Sequence, residues 1–320
     1  MRAFQVTGFD TAPELVETDR PAPGPGQVLV RIAACGLNFA DLLMMRGRYQ
    51  DTPEPPFTLG MEIAGTVEAL GPGATSPAPG TRVAVFAGSG GLADYGVFEA
   101  ERCVAIPDAM PDTHAAGFIV AYGTSHVALT HRANLQPGER LLVLGAGGGV
   151  GLTAVELGAI LGAEVIAVAR GQDKLDAARA AGAHHLFDAE EVDLRTEVKA
   201  LGGADVVYDA VGGDMFTAAL RATNPLGRIL AIGFASGDVP QIPANHLLVK
   251  NIDVLGLYWG GYLKFAPQVL TESLRQLMGM YEAGQITPHI GATRPLEQAA
   301  EALDLLKTRK VAGKVVVSIS

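Results

Sequence analysis

One stretch of the chain limits most strongly what this protein can fold into. In it, an apolar run is followed by a cluster of glycines and then by a helical pattern. Residues 141–151 read Leu-Leu-Val-Leu-Gly-Ala-Gly-Gly-Gly-Val-Gly. A turn that holds a dinucleotide needs a tight bend, bare backbone beside the pyrophosphate and close contact between helix and strand. Ala146, Gly148 and Gly151 stand at the three positions of that motif, with alanine in place of the first glycine. The stretch therefore predicts a dinucleotide-binding turn.

The helical pattern after the glycines supplies the anion-binding end of such a site. The spacing predicts a helix over residues 150–161, which ends at a glycine suited to a helix C-cap. Gly149 and Val150 lie at the N-terminus of this helix, where unpaired backbone N–H groups and the positive end of the helix dipole favour phosphate. We therefore expect both residues to contact the pyrophosphate of the cofactor.

The end of the next predicted strand indicates which dinucleotide is bound. Strand 165–169 is followed by Arg170, nineteen residues after Gly151, where an NAD site commonly places Asp or Glu against the ribose 2′-hydroxyl. A guanidinium instead pairs with the 2′-phosphate of NADP, and Lys174 adds a second cation. The sequence thus predicts NADPH as the cofactor. The alternative is that both residues are ordinary solvated charges of a strand-to-helix loop.

Composition limits the other function classes. Of 320 residues, 48% are hydrophobic, enough to bury a core in each of two domains. The net charge of −10, without a large basic cluster, argues against nucleic acid as the main partner. The two cysteines, Cys35 and Cys103, form neither a disulfide framework nor a C-x-x-C zinc motif. Since no apolar run reaches about 18 residues and the N-terminus leads directly into a strand pattern, we expect a cytoplasmic protein without a membrane span.

The alternation of elements along the chain predicts the fold class, α/β. Short apolar strands broken by Gly and Pro turns precede about residue 115, and helical patterns then alternate with continuous apolar strands. We predict a Rossmann doubly wound parallel sheet plus a smaller β-rich substrate domain. The parallel strands are predicted at residues 141–144, 165–169, 206–208, 229–232 and 254–257. The predicted domains are a substrate domain at 1–118, a cofactor domain at 119–262, and a return to the substrate domain at 263–320.

Several segments together resemble a known family. Residues 33–41 (AACGLNFAD), residues 59–67 (LGMEIAGTV), the glycine turn and residues 257–260 (LYWG) are similar to those of the medium-chain dehydrogenase/reductase superfamily, in its zinc-free quinone oxidoreductase (zeta-crystallin-like) branch. The resemblance covers nearly the whole chain. It implies a GroES-like substrate domain and transfer of hydride from NADPH to a quinone or an α,β-unsaturated carbonyl compound.

The same resemblance predicts that no metal is bound. Zinc-dependent members of the superfamily carry a Cys where this chain has Asn38 and a His where it has Met61. An amide and a thioether are poor replacements for thiolate and imidazole as zinc ligands. Without a Lewis acid, oxidation of an alcohol is disfavoured, whereas an electrophilic acceptor can still take a hydride.

The resemblance also implies the catalytic residues and the substrate pocket. Asn38 is expected to donate a hydrogen bond that orients the carboxamide or the acceptor oxygen, and Tyr49 to line the pocket as a possible donor. Asn38 as a turn former and Tyr49 as a half-buried aromatic are the alternatives. Leu43 and Met45 stand where some members have Tyr and Arg, which predicts a more apolar pocket. The alternative is that both residues lie on the core-facing side of a helix. Trp259 is expected to border this pocket, or else to fill an interface between domains.

The resemblance also implies further cofactor contacts after two of the predicted strands. Val211 follows the strand at 206–208, and Gly233 and Phe234 follow the strand at 229–232. Open α/β sheets bind their ligands at the carboxyl ends of the strands. These three residues are therefore predicted to contact the dinucleotide.

The sequence is compatible with two other functions. The chain could be an enoyl-thioester (enoyl-CoA) reductase, for which a basic rim would be needed, or a non-catalytic NADPH-binding protein. An edge strand near residues 251–257 could continue the sheet into a second subunit, so we expect a homodimer.

Overall fold

The computed structural model describes residues 1–319, which separate into two compact units. The first unit contains residues 1–120 and 288–319, and the second contains residues 121–287. Each unit has a sheet and a hydrophobic core of its own.

The chain returns to the first unit at residue 288, later than the position near residue 263 that the sequence predicted. The intervening helix, Pro267–Glu282, buries Leu270, Leu274 and Leu277. Its Ser273 hydroxyl also lies 2.9 Å from Nδ1 of His126, another residue of the second unit. These contacts keep the helix with the second unit.

The first unit is built from mostly antiparallel strands around one long central strand. The strands are β1 (Arg2–Val6), β2 (Glu14–Glu17), β3 (Gln27–Gly36), β4 (Phe57–Thr58), β5 (Glu62–Leu70), β6 (Arg82–Phe86), β7 (Tyr95–Glu99), β8 (Cys103–Ala105), β15 (Ile290–Pro295) and β16 (Lys314–Ser318). The larger sheet has the order β15-β16-β3-β5-β6-β8, with β7 also paired to β3, and a small sheet has the order β2-β1-β4.

The second unit holds a parallel sheet whose strand order reverses at its first strand. The strands are β9 (Arg140–Leu144), β10 (Glu164–Ala169), β11 (His185–Asp188), β12 (Ala204–Asp209), β13 (Thr223–Ala231) and β14 (Asp253–Gly256). Their order is β11-β10-β9-β12-β13-β14, and all neighbouring strands run parallel. Residues 141–144 are fully buried, as expected for a strand covered on both faces. The prediction of a doubly wound Rossmann sheet is confirmed.

Helices follow the strands in both units. They are α1 (Phe39–Met44), α2 (Asp112–Ala116), α3 (Ile119–His126), α4 (Gly149–Ile160), α5 (Gln172–Ala180), α6 (Leu194–Ala200), α7 (Gly213–Ala222), α8 (Ala244–Lys250), α9 (Tyr262–Phe265), α10 (Pro267–Glu282) and α11 (Ala299–Thr308), and a π-helical turn covers Val127–Arg132. None of the helices in residues 1–319 combines the length and low polarity that a transmembrane span requires.

The predicted C-cap glycine of α4 has the expected geometry. Gly162 has a φ of +84°, which favours glycine. Its N–H donates to the carbonyl of Ala159, and the N–H of Ala163 donates to the carbonyl of Gly158. This pair of bonds is a Schellman motif, which satisfies the last carbonyls of the helix and turns the chain into β10.

Candidate functional site: a dinucleotide turn and a buried charged cluster

The glycine turn after β9 is a tight bend with its positive φ at Gly145. This residue has a φ of +76°, and the amides of Gly145 and Ala146 both donate to the carbonyl of Val168, at 3.0 and 2.9 Å. An added Cβ on Gly151 would lie 2.0 Å from the carbonyl oxygen of Gly145. Gly145 therefore makes the bend, and Gly151 permits the close contact between α4 and the turn.

Gly148 is open to solvent, in contrast to its neighbours. An added Cβ on Gly148 would make only an ordinary contact, 3.5 Å from the carbonyl oxygen of Gly145, so the packing of the protein does not require glycine here. The residue is the N-cap of α4, and Gly149 and Val150 in the first turn are half-buried. Bare, exposed backbone at the N-terminus of a helix fits the approach of a pyrophosphate.

Ala146, predicted as a cofactor contact, lies in the interior of the turn. It is completely buried, so none of its atoms is exposed on the surface of the turn. The reason is that the bend occurs one residue earlier, at Gly145, which turns Ala146 into the protein interior. Its contribution is to pack the turn, and this geometry does not support the expected contact between Ala146 and the cofactor.

Lys174 lies directly across the glycine turn. An added Cβ on Gly147 would fall 2.5 Å from Cβ and 2.8 Å from Cδ of Lys174, so the lysine stem covers this glycine. Arg170 is exposed at the end of β10, with Nε 3.3 Å from Oε1 of Glu190. The sequence identified both cations but not the contact with Gly147, nor the carboxylate beside Arg170.

Two loops at the carboxyl end of the sheet lie beside the glycine turn. An added Cβ on Gly145 would be 3.1 Å from Cγ2 of Val211, which places that valine against the turn. The carbonyl of Val211 accepts the N–H of Ser236 at 2.8 Å, which joins the loops after β12 and β13. In the second loop, Gly233 is half-buried and Phe234 is partly exposed. The structure thus brings Val211 directly to the turn and the loop of Phe234 next to it.

Asp209 shapes the first of these loops and was not singled out from the sequence. Its carboxylate accepts the N–H groups of Val211 at 2.8 Å and Gly212 at 2.9 Å. Burial raises the pKa of Asp209, although these two amides oppose the shift. The signal in the sequence is an acidic residue that ends an apolar strand shortly before a Gly-Gly pair.

Buried hydroxyl groups hold the first turn of α4 in place. Ser125 Oγ donates to the carbonyl of Val150 at 2.9 Å and lies 2.8 Å from Oγ1 of Thr153 and 3.0 Å from the hydroxyl of Tyr208. The side chains of Ser125, Thr153 and Tyr208 are buried. These hydrogen bonds fix the N-terminal turn of α4 to the protein interior, which favours a rigid turn.

In the first unit, three strand ends meet in a buried charged cluster. Asn38 follows β3, Glu62 opens β5 and Lys314 opens β16, and the pairing of Gly36 with both Glu62 and Val316 aligns the three ends. Lys314 Nζ donates to Oε1 of Glu62 at 2.5 Å, to Oδ1 of Asn38 at 2.9 Å and to the carbonyl of Leu37 at 2.9 Å.

Both the nitrogen and the oxygen of the Asn38 side-chain amide form hydrogen bonds within this cluster. Its Nδ2 donates to Oε1 of Glu62 at 2.9 Å and to the carbonyl of Gly36 at 3.3 Å, while the other Glu62 oxygen accepts the N–H of Val120 at 3.0 Å. The expected role of Asn38 as a donor to a ligand conflicts with this geometry, because both amide hydrogens already have protein acceptors. Only the remaining lone pair of Oδ1 is available.

Asp41 adds a second buried carboxyl group beside the cluster. Its Oδ2 accepts the backbone N–H of Asn38 at 2.7 Å, at the start of α1. Burial raises the pKa of Asp41 to about 7, partly opposed by that amide and by the charge of Lys314. Neither Asp41 nor Glu62 is predicted as a site residue from the sequence, although a charge inside an apolar stretch requires a partner.

The cluster does not fit a zinc ion. Lys314 places an ammonium group 2.9 Å from the side-chain oxygen of Asn38, and a second cation there would be repelled. Across residues 1–319, no group of three or more His, Cys, Asp or Glu side chains is arranged to hold a metal. The absence of a bound metal stays a prediction, which elemental analysis can test.

The remaining predicted pocket residues make their contacts outside this cluster. Tyr49 is half-buried against the core of the first unit, in a turn closed by the Thr52 hydroxyl, which donates to the carbonyl of Tyr49 at 2.7 Å. Leu43 is half-buried on α1. Trp259 is 5% exposed and its indole covers Gly123 of α3, so it serves the packing of the second unit.

Comparison with known proteins places this geometry in a class of dehydrogenases. Residues 24–108 match the family described as alcohol dehydrogenase GroES-like domain, and residues 149–279 match the family described as zinc-binding dehydrogenase. A quinone oxidoreductase-like protein 2 homolog from Nematostella vectensis is 41% identical over 92% of this chain and 82% of that protein. A synaptic vesicle membrane protein VAT-1 homolog from Homo sapiens is 32% identical over 99% of this chain and 86% of that protein.

A solved structure agrees with these matches over the whole fold. The quinone oxidoreductase of Thermus thermophilus, described together with its complex with NADPH, is 32% identical, with a TM-score of 0.88 over 99% of this chain and 100% of that chain. The fold and the matched domains define a medium-chain dehydrogenase/reductase with a GroES-like domain and a Rossmann domain. Within that superfamily, the chain belongs to the quinone oxidoreductase-like branch.

Proposed function

We propose that the protein is an NADPH-dependent oxidoreductase that transfers hydride to a quinone or an α,β-unsaturated carbonyl compound without a metal. The observation that carries the proposal is the exposed, bare backbone of Gly148 at the N-terminus of α4, next to the glycine that the stem of Lys174 covers. The relative from Thermus thermophilus, solved in complex with NADPH, supports the choice of cofactor.

The residues of the second unit would hold the cofactor in a defined way. The backbone amides of Gly149 and Val150 are proposed to bind the pyrophosphate, since N–H groups in the first turn of a helix lack intrahelical partners. Arg170 and Lys174 are proposed to bind the 2′-phosphate, while Val211 forms a wall of the site. When bound, NADPH supplies a hydride from its nicotinamide ring.

On the acceptor side, the buried cluster restricts what Asn38 can do. Because Lys314 and Glu62 fix its amide, we propose that Asn38 accepts a hydrogen bond through the free lone pair of Oδ1 and thereby orients a bound amide or hydroxyl group. Tyr49 is proposed to line the acceptor pocket and to donate to the acceptor oxygen. Leu43 makes this pocket apolar, which suits a hydrophobic quinone or enone.

The cofactor part of the proposal is tested by direct binding. NADPH is titrated into the purified protein by isothermal calorimetry, together with Gly148→Val and the matched control Gly279→Ala, whose added Cβ would meet nothing within 4 Å. Gly148→Val is expected to weaken binding by about tenfold or more, because its side chain fills the approach to the turn. Gly279→Ala is expected to bind as the parent does. Full NADPH affinity in Gly148→Val would refute the assignment of this turn.

The acceptor part is tested by turnover. NADPH oxidation is followed at fixed cofactor concentration with quinones, enones and crotonyl-CoA as acceptors. Turnover of apolar quinones or enones supports the proposal. If NADPH is not oxidised with any of these acceptors, a non-catalytic NADPH-binding protein is favoured.

One observation favours the enoyl-thioester reductase as a second candidate. Arg46 and Arg48 are both exposed in the segment between α1 and Tyr49, and a basic edge there would suit the phosphates of coenzyme A. Arg46→Gln/Arg48→Gln should then raise the KM for crotonyl-CoA while leaving a neutral enone unaffected.

A cytoplasmic location and a homodimer complete the proposal. Strand β14 at the edge of the sheet offers backbone that a second copy could pair with. Light scattering at working concentration is expected to give twice the 33.2 kDa chain mass.

A further inference from the structure

An acidic segment leaves the sheet directly beside Arg170. Strands β10 and β11 pair in parallel, with Ala169 opposite Asp188, and the N–H of Ala189 donates to the carbonyl of Ala169 at 2.9 Å. The residues that follow each strand therefore run side by side. The backbone pairing fixes the proximity of these two segments, whichever rotamers their exposed side chains adopt.

The carboxylates of this segment lie beside the place where the 2′-phosphate would bind. Asp188 Oδ1 accepts the N–H of Glu190 at 2.9 Å, and Oδ2 accepts the N–H of Gly171 at 3.0 Å. These two amides lower the pKa of Asp188, so the group is ionised at neutral pH. Glu190 Oε1 lies 3.3 Å from Nε of Arg170. The arginine thus already has an anionic partner.

We infer that Glu190 is a specificity-determining residue, which competes with the 2′-phosphate of NADPH for Arg170 and thereby narrows the preference for NADPH over NADH. The inference rests on the proposed cofactor site. A 2′-phosphate carries a charge of about −1.5 to −2 at neutral pH and must displace the Glu190 carboxylate from the guanidinium. NADH has a 2′-hydroxyl there, which can donate a hydrogen bond to a carboxylate.

The size of the effect follows from the exposure of the pair. The Arg170 and Glu190 side chains are 58% and 67% exposed, so solvent screens their attraction. Removing the Glu190 charge should therefore strengthen binding of the 2′-phosphate by about two- to fivefold at low salt. The gain should shrink as salt is added, because the charges are open to solvent.

The experiment uses nucleotide fragments that differ only in the group of interest. 2′,5′-ADP and 5′-AMP are titrated by calorimetry into the parent protein, Glu190→Gln and the matched control Glu191→Gln, which removes an exposed charge one residue further along the chain. We expect Glu190→Gln to bind 2′,5′-ADP about two- to fivefold more tightly, with 5′-AMP unchanged within error, and Glu191→Gln to change neither. In an Arg170→Gln background, the effect of Glu190→Gln should disappear.

Two failures can be told apart. If the parent binds both fragments but Glu190→Gln leaves the ratio of their Kd values unchanged, or Glu191→Gln changes it equally, the inference about Glu190 is overturned and the cofactor site stands. If the parent binds neither fragment, the proposed nucleotide site is overturned, and the inference with it.

Discussion

Replacing Lys314 by Met is expected to destabilise the first unit strongly. Lys314 is 6% exposed and Glu62 is 1% exposed, and the ammonium donates three hydrogen bonds within the cluster. Without it, Glu62 keeps two donors, Asn38 Nδ2 and Val120 N, but loses its counter-charge. Removing one partner of a buried ion pair costs about 3–5 kcal/mol of unfolding free energy.

The loss can be measured by urea unfolding, with hydrogen exchange at the amides of β3 and β5 as the readout for the first unit. For an m-value of roughly 2 kcal/mol/M, the midpoint should fall by about 1.5–2.5 M. Trp259, the one tryptophan in the sequence, lies in the second unit and reports on that unit by fluorescence. Lys310→Met, which removes an exposed charge, is the matched control and should change the midpoint little.

A double variant separates the charge from the packing. Lys314→Met/Glu62→Gln should recover part of the stability lost in Lys314→Met, because the second change removes the uncompensated carboxylate. A Lys314→Met protein within about 1 kcal/mol of the parent, or a double variant no more stable than Lys314→Met, would refute the reasoning.

Three further predictions follow from the site. Burial raises the pKa of Asp41 from 3.8 to about 7, so its contribution to stability is complete below pH 3.8 and is lost as the pH rises through 7. In urea unfolding, the free energy of unfolding of Asp41→Asn should therefore increase relative to that of the parent by up to roughly 3 kcal/mol between pH 5 and pH 8.5. An unchanged pH profile would contradict this. Gly147→Ala should weaken NADPH binding in calorimetry, because the new methyl group displaces the stem of Lys174, and equal affinity would show that Lys174 plays no part. Elemental analysis should find far less than one zinc per chain; stoichiometric zinc would refute the metal-free proposal.

The local parts of the fold could be predicted from the sequence. The turn at 145–151 is visible because strand, glycines and helix are contiguous, and the apolar run of β9 shows burial on both faces. Strand β11 was missed, since only Leu186 and Phe187 in its four residues are apolar and it lies at an edge of the sheet. The position of the bend was misplaced by one residue, because the motif does not specify which glycine takes the positive φ.

The charged cluster could not be predicted in the same way. Glu62 and Lys314 are 252 residues apart, and the sequence around each of them does not indicate that the other is its partner. What the sequence does show is a glutamate and a lysine that each open an apolar strand. Each therefore needed a partner, but only the pairing of β3 with both β5 and β16 identifies it.

The distance along the chain between these partners has a consequence for folding during synthesis. At about 5–20 residues per second, Lys314 leaves the ribosome roughly 13–50 s after Glu62. In that interval the whole second unit, which is one continuous segment, has been synthesised. Glu62, in the N-terminal segment of the first unit, still lacks its partner Lys314. A nascent chain halted before residue 314 should thus expose its first unit to chaperones and proteases, and its second unit much less.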